Sequence, residues 1–244
     1  CTRPADEHPE DKLAIEHFTI NTCYGQCIDR GSKITIYTPS NIVDPIMGWW
    51  GYYLAKIGGF NYIGRELGET RPYGSFYIYD KNKNIEGGEE CLADINRLAN
   101  SDDHWVISIL AASGANEPTF PTQFHFTYGA KKGDETYDDP NITLNDIATF
   151  EQIYQAFNSL LSEKYQFSAD KQRYHTNASK LFFARQLEHK LNAISLRIAW
   201  SVTCWDMRAI QIAQDLAQII NQQINHCDNP IVPELKKKGI GYNA

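Results

Sequence analysis

Several things are missing from this sequence, and each absence removes a class of function. No stretch reaches the roughly 18 to 20 unbroken apolar residues that cross a bilayer as a helix. The formal charge is −7, and the only compact basic run is Lys236-Lys237-Lys238. A nucleic-acid partner is therefore not expected, because phosphate binding needs clustered Lys and Arg. Neither G-x-G-x-x-G nor G-x-x-x-x-G-K-[S/T] occurs, so no nucleotide fingerprint is present. H-E-x-x-H, G-x-S-x-G and the acidic calcium loop are missing too. Cys23 and Cys27 have no second Cys or His pair at zinc spacing, so neither a metal nor a cofactor is expected. Internal repeats and low-complexity tracts are lacking.

What is there supports a folded chain. Of 244 residues, 42% are hydrophobic and 12% aromatic, with 14 Tyr and 5 Trp, a composition that disordered chains do not have. Six cysteines stand at 1, 23, 27, 91, 204 and 227. Their even number and scattered spacing point to disulfides formed in an oxidising compartment. Cys23, Cys27, Cys91, Cys204 and Cys227 are the candidates, in pairings that spacing does not choose.

Cys1 stands where an initiator methionine is expected, so removal of an upstream segment is inferred. It reads as a lipid-attachment site after signal cleavage, as one end of a disulfide, or as an arbitrary boundary. An N-terminal nucleophile is disfavoured by the prolines and acids that follow. If Cys1 carries lipid, five thiols remain and one is left over. Expected localisation is exported: anchored to the outer membrane on the periplasmic side, or extracellular. The membrane would be touched only through a lipid on Cys1.

The texture of the chain changes near residue 140. Residues 1–14 read as a polar tether, 15–140 as a strand-rich portion, 141–228 as a helical portion and 229–244 as a tail, together one compact unit. Strands are predicted over 15–21, 32–38, 74–84, 104–113 and 122–129, from β-branched and aromatic alternation. Helices are predicted over 44–60, where Pro45 starts and Gly58-Gly59 stops, and over 88–100.

In the second portion, Phe150, Ile153, Phe157 and Leu160 give one helical stripe. Leu181, Ala184, Leu187, Leu191, Ile194 and Ile198 give a second, and Val202, Trp205, Ala209, Ile212, Leu216 and Ile219 a third. The fold class that follows is α+β: a mixed, mainly antiparallel sheet packed on a C-terminal layer of about three long helices.

Two groups of residues are candidates for function. Trp49, Trp50, Tyr52 and Tyr53 form either an aromatic platform for a ligand or partner, or a buried core helix. His125 lies between Phe124 and Phe126 on a predicted strand, with Gln123 and Thr127 on its side. With Asp103 and His104 from the neighbouring strand it gives a His/carboxylate pair for acid–base work; the alternative is a plain solvated sheet face.

Two functions follow. One is an exported protein that binds a protein partner or a small ligand. The other is a secreted hydrolase or toxin-like transferase using His125, His104 and Asp103. Asn141-Ile142-Thr143 and Asn177-Ala178-Ser179 match the N-glycosylation pattern, which by chance occurs often.

Overall fold

The computed structural model describes residues 18–21, 24–39, 41, 45–65, 88–112, 122–130, 144–175, 191–199, 202 and 208–226. The expected tether and tail, the strand over 74–84, and Cys1, Cys23, Cys204 and Cys227 lie outside the described residues.

Eight strands form one sheet: β1 Phe18–Asn21, β2 Gly25–Ile28, β3 Ile34–Thr38, β4 Asn61–Arg65, β5 Trp105–Ala112, β6 Phe124–Ala130, β7 Ala169–His175 and β8 Asn192–Ala199. Their spatial order is β1-β2-β4-β3-β5-β8-β6-β7. The helices are α1 Pro45–Gly58, α2 Gly88–Leu98, α3 Ile147–Leu160 and α4 Ala209–Ile220. Wider π turns, Leu161–Tyr165 and Asn221–Asn225, extend α3 and α4. The chain is α+β with a mixed sheet, as its pattern predicts. Strand direction differs in balance from expectation. The pairs β3·β4, β3·β5, β5·β8 and β6·β7 are parallel, and only β1·β2, β2·β4 and β6·β8 are antiparallel.

Parallel pairing requires a crossover, and the crossovers place helices on both faces. The chain runs β3–α1–β4 across one face, then returns past β3 through α2 on the other to enter β5. Along β5, Trp105, Ile107 and Ile109 join a large core with α1, α3 and α4, while Val106 joins a smaller core under α2. A strand buried on both sides reads as a continuous apolar run, which is how "WVISIL" reads.

The main correction concerns the expected second helix of the C-terminal portion. Over Asn192–Ala199 the chain is β8, paired with β5 from Trp105↔Asn192 to Ala112↔Ala199. Leu191, Ile194 and Ile198 fit a helical spacing of three and four. However, Ile194, Leu196 and Ile198 equally fit a period of two, and pairing along the whole of β5 decides between them. The helical and strand-rich portions thus share one sheet, because β7 and β8 both come from beyond residue 140. Over the described residues the other two stripes form helices, the third from Ala209 onward, with Trp205 outside the described residues. Phe150, Ile153 and Phe157 of α3 are buried, as are Ala209, Ile212, Leu216 and Ile219 of α4.

Helix α1 lies where Pro45 and Gly58-Gly59 predict it. Gly59 adopts a left-handed φ of 70°, and the Phe60 amide returns to the Ala55 carbonyl at 2.8 Å, closing the helix. Gly51 lets α1 approach β3 closely: a Cβ there would lie 2.3 Å from the Thr38 methyl. Trp50 is fully buried, and its indole N–H donates to the Ala209 carbonyl at 3.0 Å, tying α1 to α4. Trp49, one position on, is 46% exposed and stacks on Tyr53 at 5.6 Å. The two tryptophans therefore separate cleanly in their energetics. Trp50→Ala should cost about 3–5 kcal/mol in urea unfolding, whereas Trp49→Ala should cost under about 1 kcal/mol.

Candidate functional site

The faces of the sheet differ chemically. The face under α1, α3 and α4 is mostly apolar, with Thr38 and Lys171 among its few polar members. The opposite face is apolar only beneath α2, and becomes polar across β5, β8, β6 and β7. Two rows of side chains cross it, set by strand register. In the first, Tyr37 is level with Ser108, Ser108 with Ser195, and Ser195 with Thr127. In the second, Leu110 is level with Arg197, Arg197 with His125, and His125 with Asp170. Arg65 ends β4 one residue beyond the Thr38↔Gly64 pair, at the same height as the second row.

His125 is 4% exposed, and its Nδ1 bonds the carboxylate of Asp170. Asp170 has a side chain 36% exposed, so the row meets solvent at its β7 end. Period two on "QFHFTYG" turns Phe124 and Phe126 into the core and His125 and Thr127 to the other face, as the sequence predicts. That face is buried here, not a solvated surface, since Thr127 and Arg197 are 5% and 4% exposed. Ser108 and Ser195 are fully buried, and neither hydroxyl has a hydrogen-bond partner among the described residues. Such orphaned hydroxyls cost about 1–3 kcal/mol each and call for an explanation.

The location has its own logic. After β3 the chain moves to β4 through α1, then to β5 on the other side through α2, so the sheet's switch point lies between β3 and β5. In open sheets with parallel strands, ligands settle outside the carboxyl ends at such a point. Arg65, Leu110 and Arg197 stand at the carboxyl ends of β4, β5 and β8.

The other predicted catalytic residues are elsewhere. His104 precedes β5, six residues before Leu110, or about 20 Å along the strand from the His125 row. Its Nε2 shares a 2.8 Å hydrogen bond with the Thr35 hydroxyl beneath the surface. Asp103 is exposed, held by Lys33 Nζ and by the Ser101 hydroxyl, each at 2.5 Å. Those bonds, the lysine's first, hold its carboxyl below the usual range. It borders a cleft of about 640 Å³ at the amino ends of β5 and β8, together with Lys33, Asn145, Asn192 and His226. The structure therefore separates His125 from His104 and Asp103, and pairs it with Asp170. That pairing depends on the β6·β7 register, which no local pattern announces.

The aromatic candidates divide as well. Trp50 is a core residue and is withdrawn from the platform. Trp49 stays outside, on a half-buried Tyr53 whose hydroxyl takes a hydrogen bond from Gln214 at 3.2 Å. Tyr52 is half-buried and meets the edge of Tyr62.

The disulfide expectation is corrected at two positions. Cys27, on β2, and Cys91, on α2, are free thiols buried in the small core between them. Burial, with Asp94 nearby, pushes the Cys27 thiol up to about 11, and burial likewise raises Cys91. Both are protonated at neutral pH and poorly nucleophilic.

Burial pushes His104 down to about 4, against the opposing pull of Asp103. The folded protein thus holds it neutral at pH values where the unfolded chain protonates it. Its stabilising contribution is complete above about pH 6.5 and is lost as pH falls toward 4, a change of order 3 kcal/mol. Urea unfolding of wild type and His104→Asn at pH 7 and pH 4.5 should show a smaller acid loss in the variant. Equal losses would place the pH sensitivity in other groups.

No family model and no curated protein matches the sequence. A search of solved structures returns Cwp6 from Clostridium difficile, 13% identical, covering 83% of this chain and 29% of that one, with a TM-score of 0.34. The chain spans under a third of that protein's length, and likeness at this level carries no argument about function.

Proposed function

We propose that this protein binds a small polar ligand on the buried sheet face over the middle of β5 and β8. The observation that carries the reading is the Ser108–Ser195 pair, two adjacent hydroxyls with no hydrogen-bond partner among the described residues, beside the His125–Asp170 contact. A guest that supplies hydrogen bonds there offsets the cost of the two orphaned hydroxyls. Entry is from the β7 side, where Asp170 reaches solvent. Binding sites typically combine a few convergent polar groups with apolar walls, and the apolar neighbours here are Leu110 and Val106.

A second reading, hydrolysis or group transfer, is favoured by the His125–Asp170 contact itself. A carboxylate on Nδ1 orients the imidazole and fixes its tautomer, as acid–base work by a histidine requires.

Residence outside the cytosol belongs to the proposal. It rests on cysteine usage, of which Cys27 and Cys91 no longer form part, and the mass of the natively produced protein tests it. Among the described residues no helix is long and apolar enough to cross a membrane.

The test of binding is a thermal-shift panel of small acids, sugars, amines and polyols on wild type and on Ser108→Ala/Ser195→Ala. The variant should be as stable as wild type or about 1 kcal/mol more so, since it loses only unsatisfied hydroxyls. It should also lose the ligand-induced shift. A panel in which nothing stabilises the wild type would reject the reading. For the second reading, His125→Asn and Asp170→Asn should each lower hydrolysis of p-nitrophenyl acetate or p-nitrophenyl phosphate about 100-fold or more. Wild-type rates no faster than buffer would remove it.

A further inference from the structure

We infer that the cleft at the amino ends of β5 and β8 is a second binding site, and that its guest is an uncharged, hydroxyl-rich molecule of sugar size. The cleft lies on the opposite face of the sheet from the serine pair, and it stands or falls independently of the reading above.

Trp105 and Asn192 are level with one another in the β5·β8 register, so their side chains lie side by side on one face, and both line the cleft. Each is 2% exposed. The Asn192 side-chain oxygen accepts from the Asp146 backbone N–H at 2.7 Å, which commits that end of the amide and leaves Nδ2 as a donor. Among the described residues neither Asn192 Nδ2 nor the Trp105 indole N–H has a hydrogen-bond partner, and neither is sealed from solvent, so both donors open onto the cleft. Buried indole N–H groups ordinarily find a partner, as that of Trp50 does in the Ala209 carbonyl. Two neighbouring donors left unmet on the floor of a cavity match the acceptor oxygens of a guest.

The charges around the cleft argue for a neutral guest. Its wall carries three carboxylates, Asp102, Asp103 and Asp146, against Lys33 and His226, a balance that repels an anion. The acids are also engaged within the protein. Lys33 Nζ pairs with Asp103 at 2.5 Å, and Asp146 caps α3 by accepting from the Thr149 amide at 2.9 Å. Little unmet negative charge therefore remains to hold a cation. A hydroxyl suits both surfaces: its oxygen accepts from the floor, and its hydrogen donates to lone pairs that those carboxylates still have. Ile224 adds an apolar wall. The volume, about 640 Å³, falls within the range of small-molecule sites.

The experiment is titration of the isotope-labelled full chain with glucose, galactose and mannose, followed by NMR of the five indole N–H groups. One indole resonance, the one missing from Trp105→Phe, should shift saturably as a sugar binds. Saturation separates binding from the general exclusion of sugars from protein surfaces. By isothermal titration calorimetry, Trp105→Phe and Asn192→Asp should each weaken binding about tenfold, since one donor is lost while the ring and the oxygen facing Asp146 remain. Ile224→Trp, which fills the cleft from its wall and removes no buried polar group, should abolish binding, and it decides the matter if the other two variants do not fold.

Three outcomes overturn the inference. Glucosamine or glucuronate binding tenfold more tightly than the neutral sugars would reject an uncharged guest. A sugar response unchanged in the folded variants would place the sugar elsewhere, the serine pair included. No saturable response of the wild type to any of these compounds would remove the site.

Discussion

The parallel pairing of β5 with β8 is the seam on which the rest of the molecule depends. It joins strands more than 80 residues apart in sequence, and it runs the full length of both, from Trp105↔Asn192 to Ala112↔Ala199. On one side of it lie β1 to β4 with their helices; on the other lie β6 and β7, joined to the sheet through β8 and packed on α3. Both faces of the seam are buried, so Ile107, Ile109, Ile194 and Leu196 fill the core under three helices while Val106 and Ala193 pack beneath α2. Loop closure over such a separation is entropically expensive, and burial on two faces is what offsets it.

The same seam creates the polar rows. Because successive side chains alternate, the residues left facing away from the large core along β8 are Ala193, Ser195 and Arg197. A sheet covered on both faces ordinarily carries apolar residues at all of these positions. This one departs from that rule at Ser108, Ser195, Arg197, His125 and Thr127, which cluster at one end. Local departures from the rules of good folding concentrate where a protein has other work to do. At the opposite end the His104–Thr35 contact is polar too, but its hydrogen bond is made and the histidine is held neutral.

The two aromatic neighbours Trp49 and Trp50 illustrate how far local chemistry carries. Composition alone gives both the same prospects. On a helix they point about 100° apart, and α4 covers only one of the two directions. The same limitation applies to the cysteines, whose spacing suggests bridges, while α2 sets Cys27 and Cys91 in a common apolar core as free thiols.

By itself the sequence determined the local elements: the strand at 34–38, the helix ended by Gly58-Gly59, the buried run of β5, the alternation that faces His125 away from Phe124 and Phe126, and the helices at 147–160 and 209–220. Each rests on periodicity or on a backbone stop within a few residues, which is information a short stretch contains. Tertiary structure alone decided that 192–199 is a strand, that the sheet is largely parallel, and that His125 meets Asp170 and Arg197 while His104 and Asp103 lie about 20 Å away. Those outcomes depend on which strands become neighbours and in what register, and one register shift would exchange the faces of a whole strand. That choice is made by the burial of every layer together.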